Sequence, residues 1–188
     1  TKIASEQVAL QAHVEGRVAT TVIRPGDVYG PGSRPWTLLI VEAIQKGRFL
    51  LPAMGKGIFS PVYVDNLVDG VLLATSKPEG VGQVFTISDG LGITTKEFFG
   101  HYFRMLGRKG PRCVPTPVAM ALVAGPEVAG KVSGHRTEIS RESMRYFTRS
   151  GTYSIDKARR LLGYEPAVDL ERGMRQTESW LGSQGLLG

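Results

Sequence analysis

Two short β-branched runs constrain this chain more than anything else in it. They are VATTVIR at residues 18–24 and GQVFTIS at residues 82–88. Each has the residue types of a buried strand. Each is preceded by a segment with helical spacing of apolar residues. Strands alternating with helices predict a parallel, α/β arrangement. Two strands alone do not make a stable parallel sheet. The shortage leads to the expectation that the first strands of the sheet lie ahead of Thr1.

The helical segments read clearly. Ile3, Leu10 and Val14, with Ala4, Val8 and Ala12 beside them, predict a helix over residues 2–14 that Gly16 ends. Trp36, Leu39, Ile40, Ala43 and Ile44 predict a second, stopped at Gly47. Asp65 or Asn66 is expected to cap a third, with an apolar face of Leu67, Val68, Val71 and Leu72. Thr94 and Glu97 form a capping-box pattern ahead of KEFFGHYFRML, with Gly107 as the stop. Residues 117–132 are expected to be helical with a break at Gly125-Pro126. SRESMRYF and SIDKARRLLG follow, and Asp169 caps a last helix through Trp180. GIFSPVYV alternates like a strand, and PGDVYGPGSRP reads as a Pro/Gly-rich loop in which Pro25 ends strand pairing and Gly26, Gly30 and Gly32 turn the chain.

Charge and composition exclude several classes. The net charge is +6, with many cations between Lys131 and Arg175, but there they alternate with acids on apparent helices. That pattern describes a solvated face, and no nucleic acid is expected as a partner. The longest apolar stretch, VPTPVAMALVAG, falls short of the roughly 20 residues that span a bilayer. It reads as a core helix, and a membrane partner is not expected. Cys113 is alone, so no internal disulfide forms, which fits a reducing, cytoplasmic location. His13, His101 and His135 share no ligand spacing, and no metal is expected.

The loop after TTVIR is where chemistry should lie, because ligands in open α/β sheets bind beyond the carboxyl ends of the strands. No Gly-rich phosphate loop, GxSxG elbow or HExxH is present.

TTVIRPGDVYGPG, FSPVYVDNLVDGVLLA and YSIDKARRLLGYEPAVDLERGMRQTESWL together resemble the C-terminal half of an extended short-chain dehydrogenase/reductase. That superfamily holds NAD-dependent epimerases, dehydratases and 3β-hydroxysteroid dehydrogenases. The resemblance implies the C-terminal part of an NAD(P)-binding Rossmann fold plus a smaller, mostly helical substrate-binding domain. Residues 1–47, with strand 83–88 returning to them, would belong to the Rossmann domain. Residues 48–82 and 89–182 would form the substrate-binding region.

By the same resemblance Lys2 is the lysine of the YxxxK motif, and the tyrosine would stand four residues earlier. The chain by itself is then expected to be inactive. Lys2 is the expected catalytic residue and also a cofactor ligand, with NAD or NADP as the cofactor. A nearby ammonium lowers a phenol's pKa, which suits the phenol to act as a base. Pro25, Gly26, Asp27 and Val28 would meet the nicotinamide end. Tyr29, Arg34 and Trp36 would face a small-molecule substrate.

Phe59 and Ser60 stand where nucleotide-sugar relatives commonly place an Arg near the diphosphate. That difference and VPTPVAMALVAG favour hydride transfer at an alcohol or ketone of a hydrophobic, 3β-hydroxysteroid-like substrate. A nucleotide-sugar epimerase or dehydratase is the alternative, and a non-catalytic dinucleotide-sensing regulator a second. A homodimer is the family expectation.

Overall fold

The computed structural model describes residues 2–133 and 141–187; His135 lies outside them. In chain order the elements are α1 (Lys2–Val14), β1 (Val22–Pro25), β2 (Asp27–Tyr29), α2 (Leu39–Gln45), β3 (Leu50–Leu51), β4 (Ile58–Phe59), β5 (Pro61–Tyr63), α3 (Val64–Ser76), β6 (Val84–Ile87), β7 (Ile93–Thr94), α4 (Thr95–Met105), β8 (Arg112–Cys113), α5 (Thr116–Ser133), α6 (Arg141–Tyr146), α7 (Asp156–Leu162) and α8 (Leu170–Ser183). They fall into two compact units. Unit 1 comprises Thr1–Ser33, Ser60–Leu91 and Tyr153–Gln176; unit 2 comprises Arg34–Phe59, Gly92–Thr152 and Thr177–Gly188.

In unit 1 the two expected strands pair in parallel, with Val22 opposite Val84 and Pro25 opposite Ile87. Phe85 and Ile87 carry the core with Val62, Ala158 and Leu162. The Pro/Gly loop is partly strand. β1 runs through Pro25, and Asp27–Tyr29 pair in parallel with Pro61–Tyr63. Proline lacks only its own N–H, so its carbonyl side can still pair.

Helix α3 corrects two expectations. Its N-cap position is Tyr63 and no side chain caps it. Its buried line is Asn66, Gly70 and Ala74, at i, i+4 and i+8. Gly70 lies so close to β6 that a Cβ there would come 2.7 Å from Ile87 Cγ2. Leu67 packs beside this core, but Val68, Val71 and Leu72 are exposed. Helix α1 likewise exposes Ile3, Val8 and Val14 and buries Ala12. In α3 a small residue wins the contact side because Gly70 allows the close approach to Ile87 that a larger side chain would forbid.

Unit 2 is built on an aromatic cluster. Phe59 lies 4.3 Å from Phe98 between ring centroids and 5.2 Å from Phe99. Trp36 meets Phe59 edge-on at 5.0 Å. Such tilted and edge-on pairs add about 1 kcal/mol each beyond burial. Tyr102, fully buried, shares a 3.1 Å hydrogen bond with Thr37. The capping box of α4 forms as expected: Thr94 Oγ1 accepts from Glu97 N, and Glu97 Oε2 accepts from Thr94 N, both at 3.2 Å. Helix α5 runs from Thr116 to Ser133 without a break at Pro126. One proline removes one ladder bond and bends a helix, but the flanking bonds can carry it on.

Candidate active site

Gly26 sits at the carboxyl end of β1. Its N–H donates to Ile87 O at 2.8 Å, and a Cβ there would fall 2.6 Å from Ser60 O and 3.0 Å from Ser88 Cβ. Close approach, not a turn, demands the glycine. Asp27 is buried and clasps Ser60 twice: its N–H donates to Ser60 O at 2.8 Å, and its Oδ2 accepts from Ser60 N at 3.2 Å. Val28 is half-buried, and its carbonyl accepts from Ser33 Oγ at 2.7 Å.

Helix α1 runs antiparallel to β1. Near its start Glu6 pairs with Arg24, at the end of the strand, at 2.5 Å. Near its finish His13 lies against Gly82, just ahead of β6. Lys2 stands one turn before Glu6 on the same helix face and is exposed. The Glu6–Arg24 pair holds the start of α1 against the carboxyl end of β1, the end where α/β proteins hold ligands. The hydrogen bond to Arg24 lowers the Glu6 carboxyl below its usual range, and the same bond raises Arg24.

A buried network beside these strand ends had no signal in the sequence. Asp89, two residues past β6, accepts from Tyr63 N at 3.1 Å and from Asn66 Nδ2 at 2.7 Å. Asn66 also donates to Val168 O at 2.8 Å and accepts from Val168 N at 2.9 Å. Burial pushes the Asp89 carboxyl up to about 6, against the opposing pull of Asn66 and Tyr63. Tyr164 Oη donates to Ser88 O at 3.1 Å, and burial, aided by Asp89, raises that phenol. In sequence Asn66 passes for a helix cap and Asp89 for a turn residue. Only burial distinguishes them.

Tyr29 is fully buried in unit 1, edge-on to Tyr63 at 5.5 Å and against Gly173. Its ring is taken up by packing. Arg34 and Trp36 belong to unit 2, in a π-helical segment that leads into α2. Arg34 is exposed. Trp36 stacks on Tyr146 at 5.5 Å and lines a cleft of about 980 Å³. The cleft lies within unit 2. Its walls include Ile40, Phe49, Leu122, Val123 and Phe147, and its charged residues are Glu42, Lys46, Arg48 and Glu142. Leu122 and Val123 come from VPTPVAMALVAG, so that segment is part core and part cleft wall.

A model of the 3-beta hydroxysteroid dehydrogenase/isomerase family matches residues 1–118. The chain belongs to that family. Among curated members with related sequences, a decarboxylating sterol-4-alpha-carboxylate 3-dehydrogenase of Schizosaccharomyces pombe is 28% identical over 97% of this chain and 56% of its own. A short-chain dehydrogenase/reductase family 42E member of Bos taurus is 30% identical over 80% of this chain and 41% of its own. A farnesyl-dihydroquinoline-oxide ketoreductase of Stigmatella aurantiaca is 29% identical over 93% and 52%. The chain thus spans about half the length of the curated relatives it matches. The fold is the Rossmann-type α/β fold of epimerases and dehydratases. An epimerase structure from Methanothermobacter thermautotrophicus superposes with a TM-score of 0.72 at 21% identity, over 99% of this chain and 50% of that one. A UDP-glucose 4-epimerase from Thermotoga maritima, solved with UDP-glucose, gives 0.65 at 25% identity, over 97% and 53%.

Proposed function

We propose that this 3-beta hydroxysteroid dehydrogenase/isomerase family chain is the C-terminal part of an NAD(P)-dependent oxidoreductase that acts on an alcohol or ketone carbon of a hydrophobic, 3β-hydroxysteroid-like substrate. The observation that carries this reading is the Glu6–Arg24 ion pair, which ties the start of α1, where Lys2 stands, to the carboxyl end of β1, next to Pro25–Val28. The residues there fit the nicotinamide–ribose end of a dinucleotide: an exposed Lys2 on α1, and an exposed Pro25 followed by Gly26, which lets this backbone lie against Ser60 and Ser88. When bound, the dinucleotide accepts or gives the hydride. Lys2 would donate hydrogen bonds to a ribose hydroxyl, and its charge would favour the ionised form of a neighbouring phenol, readying it to take the substrate's hydroxyl proton. Asp27, occupied with Ser60, would act by fixing the backbone rather than by touching ligand.

The apolar cleft supports a hydrophobic substrate. Its volume falls in the range of ligand pockets, about 300–1,000 Å³. The names of the sterol dehydrogenase and the ketoreductase point the same way. The second reading, a nucleotide-sugar epimerase, draws on the Thermotoga structure. The cleft disfavours it: two carboxylates stand against its two cations, leaving no excess positive charge for a diphosphate.

The test is dinucleotide-linked turnover by the whole protein, followed as NAD(P)H absorbance, with 3β-hydroxysteroids set against UDP- and dTDP-sugars. Oxidation of the steroids, abolished by Lys2→Met, is expected. Turnover of the sugars alone would refute the proposal.

A further inference from the structure

Gly26 lies in a slot. One wall is Ser60, whose O would stand 2.6 Å from a Cβ on Gly26, and the other is Ser88, whose Cβ would stand 3.0 Å away. One residue farther along each wall the chain is tied across: Asp89 N donates to Pro61 O at 2.9 Å. The Asp89 side chain adds two more ties to the Ser60 side. Its carboxylate accepts from Tyr63 N at 3.1 Å and from Asn66 Nδ2 at 2.7 Å. Asp89 therefore holds the two walls together, and every residue involved belongs to unit 1.

The clasp carries a cost. Asp89 is buried, and among the described residues no cation pairs with its carboxylate. A buried carboxylate without a counter-ion is disfavoured against a hydrated one until it takes a proton. The titratable groups around it do not remove that cost. Tyr63 and Tyr164 are phenols that burial raises further, so both are neutral at pH 7. Asp65 and Asp69, on α3, add negative charge and are exposed. Arg172 acts on the Tyr63 phenol and Arg159 on the Tyr164 phenol, and both are exposed. Asp27, on β2, is buried, and its carboxylate accepts from Ser60 N. Parting Ser60 from Ser88 would let water reach the Asp89 carboxylate.

We infer that Asp89 is a positioning residue for the Pro25–Val28 backbone: it clasps the two walls of the Gly26 slot, and the clasp closes with uptake of a proton. At acid pH a neutral carboxyl holds the slot shut. Toward alkaline pH the ionised carboxylate draws water, and the slot opens more often. The carboxyl is raised to about 6 in the closed slot, against 3.8 when hydrated, so the open fraction should grow about tenfold between about pH 5 and about pH 8. That this backbone meets a dinucleotide rests on the functional reading above; the clasp itself does not.

The experiment is amide hydrogen exchange of the whole protein, read residue by residue by nuclear magnetic resonance and corrected for the pH dependence of intrinsic exchange. Protection of the Gly26 and Asp27 amides should fall about tenfold from about pH 5 to about pH 8, levelling off above about pH 6. Small additions of urea should leave it nearly unchanged, which marks a local opening rather than unfolding. Asp89→Asn cannot ionise and should abolish the pH dependence, which also separates Asp89 from Asp27. Constant protection in the parent, an equal fall in the variant, or the urea dependence of global unfolding would overturn the inference. If the variant does not fold, the carbon-13 shift of the Asp89 carboxyl decides: titration at about 6 supports the clasp, and titration at about 4 overturns it. Added NAD or NADP tests the functional reading separately. Slower exchange at Gly26 supports a dinucleotide there, and exchange unmoved by either refutes that reading while the clasp stands.

Discussion

Replacing Asp89 by Asn should tilt the pH dependence of folding, and in an unusual direction. Asp89 is 7% exposed, and its carboxyl is pushed from 3.8 up to about 6 by burial. The hydrogen bonds from Asn66 and Tyr63 favour the carboxylate but do not offset the loss of hydration. A displacement of that size corresponds to about 3 kcal/mol of tighter proton binding in the folded chain than in the unfolded one. A raised folded pKa stabilises below the unfolded value, and the benefit is lost as the pH rises through about 6. Asp89→Asn cannot titrate. The stability of the parent chain minus that of the variant should therefore fall by about 3 kcal/mol from about pH 3 to about pH 7. Urea unfolding followed by far-ultraviolet circular dichroism at each pH measures it, provided the two slopes on urea agree. A difference flat to about 0.5 kcal/mol across that range would refute the claim that Asp89 is buried and charged at neutral pH.

Asn66→Ala leaves both Val168 backbone groups without their side-chain partner and should cost about 3 kcal/mol in the same assay. Gly57→Ala would place a Cβ 1.8 Å from Phe147 O, a backbone atom that cannot step aside; a loss of about 3 kcal/mol or more is expected by thermal unfolding. Thr94→Ala dismantles the α4 capping box and should cost about 1 kcal/mol by urea titration. Lys2→Met, made in the whole protein, should lower kcat/KM by about 10² or more while the melting temperature holds, because the side chain is exposed.

The sequence made some of this legible and hid the rest for definite reasons. Helix ends were readable where chemistry is local: Thr94 with Glu97, the left-handed Gly163 after α7, and Asp169, whose Oδ1 accepts from Arg172 N. Strands β1 and β6 showed through their β-branched content. β3 and β8 did not, since two residues carry no period. β2 was masked by its flanking glycines, because composition cannot tell a glycine needed for close approach from one needed for a turn. The contact face of α3 was misread because large apolar residues dominate periodicity while Asn66, Gly70 and Ala74 make the packing. At the site, the resemblance alone marked Lys2 and Pro25–Val28; the structure adds that Glu6, one turn after Lys2, pairs with Arg24, next to Pro25. Asp89 escaped notice because a solvated turn and a buried carboxylate share one sequence.

The parallel pairing of β1 with β6 also governs when the chain can fold during synthesis. Val22 must wait for Val84, 62 positions later. At about 5–20 residues per second that is roughly 3–12 s on the ribosome. Unit 1 closes later still, since its third segment ends at Gln176. Until then the edge of β1 that takes β6 has no partner, and slowing translation across residues 25–84 should lengthen that window in proportion.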